Sequence, residues 1–82
     1  MKHKLSDKQL EVMHAANRGK IARDPQTFTW RIDQAHTVTN SVRPLIRAGY
    51  LLAGHPAGDG SVLAVVTKAG REAIAQEEAR RA

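Results

Sequence analysis

Thr37-Val-Thr-Asn-Ser-Val-Arg-Pro-Leu-Ile-Arg-Ala-Gly-Tyr-Leu51 is the stretch that decides the fold. It reads as a helix that ends at Gly49 and passes straight into a strand. Val38, Val42, Leu45 and Ile46 fall at i, i+4, i+7 and i+8, on one apolar face of a helix. Thr39, Asn40, Arg43 and Arg47 fall on another face, and none of them is apolar. That second face offers hydroxyl, amide and guanidinium groups, the types that bond base edges and hold phosphates. A helix anchored on one side and armed with Thr, Asn and Arg on the other is suited to the major groove of duplex DNA. The pattern predicts a helix over 34–48, with Thr37 as its best cap. Pro44 lacks a backbone donor and crowds the carbonyl four residues back, costing about 3 kcal/mol inside a helix. The helix is therefore expected either to bend there or to start late, near Thr39 or Asn40.

Upstream, Leu5-Ser-Asp-Lys-Gln-Leu10 is a helix start. Ser6 can cap and Gln9 stands three residues on, as in a capping box, with Leu5 and Leu10 placed for a hydrophobic staple. Gly19 suits the left-handed residue that closes a helix, so a helix is expected over 7–18. Thr27-Phe-Thr-Trp-Arg-Ile32 has strand composition, and its alternation would put Phe28, Trp30 and Ile32 on one apolar face. Asp24-Pro25 marks a turn before it, and Ile21 could begin a short partner strand.

Downstream, residues 50–54 and 61–67 read as antiparallel strands around the turn formers His55-Pro-Ala-Gly-Asp-Gly60. Thr67 is placed to cap a last helix whose inner edge is Ala69, Ala73, Ile74 and Glu77. Glu77 and Arg81 form a favourable i, i+4 pair. The order helix, strand, helix, hairpin, helix describes an α+β fold in a single domain over 1–82, with its core at about 5–78.

The chain has 82 residues, no Cys and a net charge of +5. A chain this short buries a modest core, so a second copy or a partner would add stability. Absence of Cys excludes a disulfide framework and a thiolate metal site. The longest apolar run, Val62–Val66, is far too short to span a bilayer. The charged N-terminus lacks the apolar core of a signal peptide. A cytoplasmic protein without membrane partners is expected. The charge is concentrated: residues 18–55 hold six Arg or Lys against two acids, whereas 56–82 balance four against four. A basic centre favours polyanions through phosphate neutralisation and counterion release.

These segments resemble the winged-helix regulators, especially the MarR-like and related small bacterial and phage transcriptional regulators. Leu5-Ser6-x-x-Gln9-Leu10-x-Val12 looks like the opening helix. Val38-x-x-x-Val42-x-x-Leu45-Ile46-x-x-Gly49-Tyr50-Leu51 looks like the recognition helix running into the wing. Thr67-Lys-Ala-Gly70-Arg71 looks like the segment that follows the wing. The resemblance implies a winged helix-turn-helix with its wing hairpin over about 50–67. Two departures stand out. The family's second helix would fall on the strand-like TFTWRI, so it is reduced or replaced. The wing, with His55, Gly58, Asp59 and Gly60, carries no Lys or Arg at its tip, where family wings often place one in the minor groove.

Sequence-specific binding of double-stranded DNA, as a transcriptional regulator, is the function expected. Thr37, Thr39, Asn40 and Arg43 are the candidate base contacts: Asn pairs bidentately with adenine and Arg with guanine. Arg18, Lys20, Arg23, Arg31, Arg47, Lys68 and Arg71 are candidate backbone contacts. So short a helix makes few base contacts, so specificity is expected to need two copies, as a homodimer on a two-fold site, or a partner. Trp30 and Phe28 could stack on bases, but strand alternation favours the core. His3, His14, His36 and His55 have no i, i+3 or i, i+4 spacing, so no metal or cofactor is expected. No nucleophile–base pattern, paired carboxylate or phosphate-binding glycine loop points to an enzyme. The alternative is a protein-interaction module of the same fold, docking on an acidic partner without specific DNA binding.

Overall fold

The computed structural model describes residues 5–33 and 35–81. The chain begins with helix α1 (Asp7–Asn17). Its capping box is complete: the Gln9 N–H donates to Ser6 Oγ at 3.1 Å and the Ser6 N–H to Gln9 Oε1 at 3.0 Å. Leu5, before the cap, is buried, with Leu10 packed against the core. The helix ends in a left-handed Gly19 at φ +73°. The N–H groups of Gly19 and Lys20 return to the Ala16 and Ala15 carbonyls, both at 3.0 Å, in a Schellman closure.

The next segment departs from the single strand expected over 27–32. Three short strands follow one another: β1 (Ile21–Arg23), β2 (Trp30–Ile32) and β3 (His36–Thr37). Ile21 does begin a partner strand, pairing with Ile32 while Arg23 pairs with Trp30. Phe28 lies outside the ladder, at φ +57° and 63% exposed, rather than on an apolar strand face with Trp30. The reason is local. Asp24 Oδ1 accepts the N–H groups of Gln26 at 2.8 Å and Thr27 at 3.3 Å, which turns the chain back before Phe28.

Helix α2 (Thr39–Arg47) follows. Its start corrects the expected 34–48 span, and Thr37 is not its cap. Thr37 pairs with Arg31 in the ladder, and the Val38 N–H donates to the Trp30 carbonyl at 2.7 Å. Sheet pairing takes these backbone groups before the helix can. Gln34, the expected start, lies outside the described residues, as do Lys2, His3 and Lys4. The late start still leaves Pro44 inside the helix. The end is as expected: Gly49 at φ +85°, with Gly49 N–H to Ile46 O at 3.0 Å and Tyr50 N–H to Leu45 O at 2.9 Å.

The hairpin comprises β4 (Leu51–Pro56) and β5 (Val62–Val66), and helix α3 (Lys68–Arg81) closes the chain. The strands form one antiparallel sheet in the order β3-β2-β1-β5-β4. Among the described residues there are three helices, and none lies between α1 and α2. Strands β1, β2 and β3 occupy that interval, where the winged-helix resemblance would place a second helix. The protein is thus a small α+β domain whose layout differs from the expected one in strands β1 and β3, which flank the shortened strand β2.

The sheet has two unlike faces. Along β5, Val62, Ala64 and Val66 are buried, with Leu63 and Val65 exposed between them. The buried set meets Leu5, Val12, Met13, Ile21, Trp30, Val42, Leu45, Leu51 and Ile74 in one core. On the outer face Leu52 stands opposite Val65, and Leu63 opposite Ala22. Leu52, Leu63 and Val65 remain about half exposed there.

Helix α3 is held at both ends. The Thr67 hydroxyl donates to the Gly49 carbonyl at 2.6 Å and accepts the Gly70 N–H at 3.0 Å. The cap of α3 is thereby bonded to the residue that closes α2. Gly70 is buried; a β-carbon there would collide with the Tyr50 carbonyl and lie 2.9 Å from Val66 Cγ1 and 3.0 Å from Met13 Cε. At the other end Glu77, only 5% exposed, accepts from Arg80 and from Arg81 Nε at 3.1 Å. Arg81 also bonds the Asp7 carboxylate and, at 3.5 Å, the Leu5 carbonyl. The expected Glu77–Arg81 pair is therefore part of a junction between the two terminal helices.

Candidate nucleic-acid interface

Helix α2 buries Val42 and Leu45 and turns the opposite side outward. Asn40, Arg43 and Arg47 are all exposed on that side, with Pro44 among them. No acid lies in the helix. Among the described residues neither Arg43 nor Arg47 has a carboxylate within 4.0 Å. An amide and two guanidinium groups therefore project into solvent with their donors available.

The other two expected base contacts are placed differently. Thr39 is the first residue of α2, half-buried, and its hydroxyl accepts the Trp30 N–H at 2.9 Å. It ties the helix to β2. Thr37 is exposed but sits in β3, opposite Arg31, off the helix.

The expected backbone contacts fall into three groups. Lys68 and Arg71 are exposed in the first turn of α3, next to the end of α2 through the Thr67–Gly49 bond. Arg18 and Lys20 are exposed after α1. Arg23 and Arg31 are half-buried in the sheet and point to opposite faces. Arg23 faces the aromatic side, 5.5 Å from the Phe28 ring centroid and 5.8 Å from that of Trp30. Arg31 lies on the outer face, in a groove of about 700 Å³ shared with Lys20, Ala22, Asp33, Asp59 and Leu63. Its Nε is buried with no hydrogen-bond partner among the described residues. Arginine–carboxylate pairs among the described residues involve Arg80 and Arg81 alone, so ion pairing is confined to the far end of α3.

The hairpin tip is ordered by its own acid. Asp59 Oδ1 accepts the Ser61 hydroxyl at 2.7 Å and the Ser61 N–H at 2.9 Å. These bonds, the hydroxyl first, hold the Asp59 carboxyl below its usual range. His55, Gly58, Asp59 and Gly60 are all exposed. Gly60, at φ +87°, packs on the β1–β2 turn: a β-carbon there would lie 3.1 Å from Pro25 Cβ. Asp24 in that turn is likewise held below the usual carboxylate range, chiefly by the Gln26 N–H and then by Thr27.

Phe28 is exposed at the end of the β1–β2 turn, which the strand-like alternation around it does not disclose. The signal was Asp24-Pro25, which closes a turn long enough to reach Phe28. His14 Nε2 is 3.9 Å from Glu78 Oε1, and the described residues hold no cluster of three His, Asp or Glu side chains suited to a metal. No described helix is long and apolar enough to cross a membrane. No protein-family model matches the chain, and neither a curated protein nor a solved structure is found similar to it.

Proposed function

We propose that this protein binds double-stranded DNA in a sequence-specific manner, with α2 in the major groove, and acts as a transcriptional regulator. The observation that carries this reading is the outer side of α2: Asn40, Arg43 and Arg47 exposed together, with no carboxylate among the described residues beside either arginine. Asn and Arg are the side chains that read adenine and guanine edges bidentately. Lys68 and Arg71, at the adjoining end of α3, are placed to hold phosphates flanking the groove. One helix of this length reads few base pairs, so the reading includes two copies on a two-fold site. Selection from a random duplex pool at two salt concentrations tests it. Enrichment of a short motif, as an inverted repeat, supports it. Motif-free binding that vanishes at the higher salt leaves only general basicity.

The second reading is a protein-interaction module that docks on an acidic partner. The hairpin tip keeps this reading in play because it offers a duplex phosphate Asp59 and no Lys or Arg, so an acidic partner would dock on the basic outer side of α2 instead. It predicts no preferred duplex in the same selection.

A further inference from the structure

Phe28 is unusual on two counts. A residue at positive φ in a turn is ordinarily Gly, Asn or Asp, because a β-carbon is disfavoured there. A residue 63% exposed is ordinarily polar, yet this one is an aromatic ring. The turn is nevertheless firmly built. The Asp24 N–H donates to the Thr29 carbonyl at 2.9 Å, and the Phe28 N–H to the Asp24 carbonyl at 2.8 Å. The Thr27 and Thr29 hydroxyls share a further bond at 2.8 Å. These bonds fix the backbone that carries the exposed ring, and the Arg23 guanidinium lies 5.5 Å from its centroid.

Its neighbours say what such a ring could meet. Trp30, two residues on, bonds the first turn of α2 through Val38 and Thr39. Pro25, in the same turn, touches the hairpin tip at Gly60. The turn thus lies between the start of α2 and the tip. The tip brings no Lys or Arg, while Arg23 at the end of β1 and Phe28 in the turn bring a guanidinium and an apolar ring. The turn's acid, Asp24, is engaged with the backbone N–H groups of Gln26 and Thr27. A cation with an apolar wedge is how side chains engage the minor groove and unstack a base step.

We infer that the β1–β2 turn is a second DNA contact, with Phe28 pressed as a wedge against the duplex beside the α2 site and Arg23 on the adjoining phosphate. The inference rests on the DNA-binding reading of α2. It is tested on the duplex selected by the wild-type protein, carrying 2-aminopurine at steps flanking the motif. Wild type is expected to raise the 2-aminopurine fluorescence on binding. Phe28→Gly relieves the positive φ, so its thermal midpoint is expected to hold or rise, while its affinity falls about tenfold and the fluorescence rise disappears. Arg23→Ala is expected to lower the slope of log affinity against log salt by about one. Wild-type affinity in a folded Phe28→Gly, in a duplex whose binding still depends on Arg43, overturns the wedge and leaves the α2 reading standing. Failure of wild type to prefer any duplex overturns both.

Discussion

The Trp30 backbone N–H donates to Thr39 Oγ1 at 2.9 Å, and this bond joins strand β2 to the first residue of the exposed helix. Together with the Val38–Trp30 backbone bond it sets where α2 begins. Thr39→Val keeps the shape but removes the acceptor, leaving a part-buried N–H unpaired. A stability loss of about 1–2 kcal/mol is expected in urea unfolding, with Thr39→Ser close to wild type. Weakened DNA binding with no loss of stability would instead place the Thr39 hydroxyl at a base.

Arg43 and Asn40 are the residues on which specificity is expected to turn. If Arg43 bonds a guanine edge, Arg43→Ala weakens the selected duplex by about 1–3 kcal/mol and leaves random DNA much less affected. Arg43→Lys does not restore it, because a lysine lacks the planar fork. Equal losses on selected and random duplexes would make Arg43 a phosphate contact. Titrations of both duplexes by fluorescence anisotropy separate these outcomes.

What was legible in the chain follows how far apart the interacting residues are. The capping box at Ser6 and Gln9 and the closure at Gly49 are made within a few residues, so their letters alone disclose them. Helical periodicity likewise exposes Asn40, Arg43 and Arg47 once Val42 and Leu45 are buried. The strand position of Thr37 and the engaged hydroxyl of Thr39 are not legible locally because their partners, Arg31 and Trp30, lie on another strand. The exposure of Phe28 is hidden because F-T-W-R-I alternates like a strand, while the side chain that ends the alternation, Asp24, stands upstream of it. The three-strand run was hidden for a related reason: each strand spans only two or three residues and is held by its neighbours.

Gly70 is a packing requirement. The backbone of α3 comes so near Tyr50 that a methyl group would strike its carbonyl oxygen. That oxygen accepts the Thr67 N–H at 3.1 Å and is fixed in place. Gly70→Ala should therefore force α3 away from the sheet despite alanine's higher helix propensity. A loss of about 1–3 kcal/mol is expected, read as a lowered urea midpoint. A stabilised Gly70→Ala would show that α3 can shift freely and that the contact with Tyr50 does not constrain it.

Glu77 makes the junction of α1 and α3 sensitive to acid. Burial raises the pKa of its carboxyl, but the hydrogen bonds from Arg80 and Arg81 outweigh burial and bring it below the ordinary value of 4.5. A carboxylate whose folded pKa lies below its unfolded one binds fewer protons when folded. Its contribution is fully present above about pH 4.5 and is lost as pH falls through the folded value. Asp24 and Asp59, also lowered but from an ordinary value of 3.8, act in the same direction at more acid pH. The thermal midpoint should thus hold from neutral pH to about 5 and fall below it. Glu77→Gln cannot titrate, so it should start lower at neutral pH and lose less on acidification. Parallel curves for the two proteins would mean that the acid sensitivity resides in Asp24 and Asp59, with Glu77 adding none.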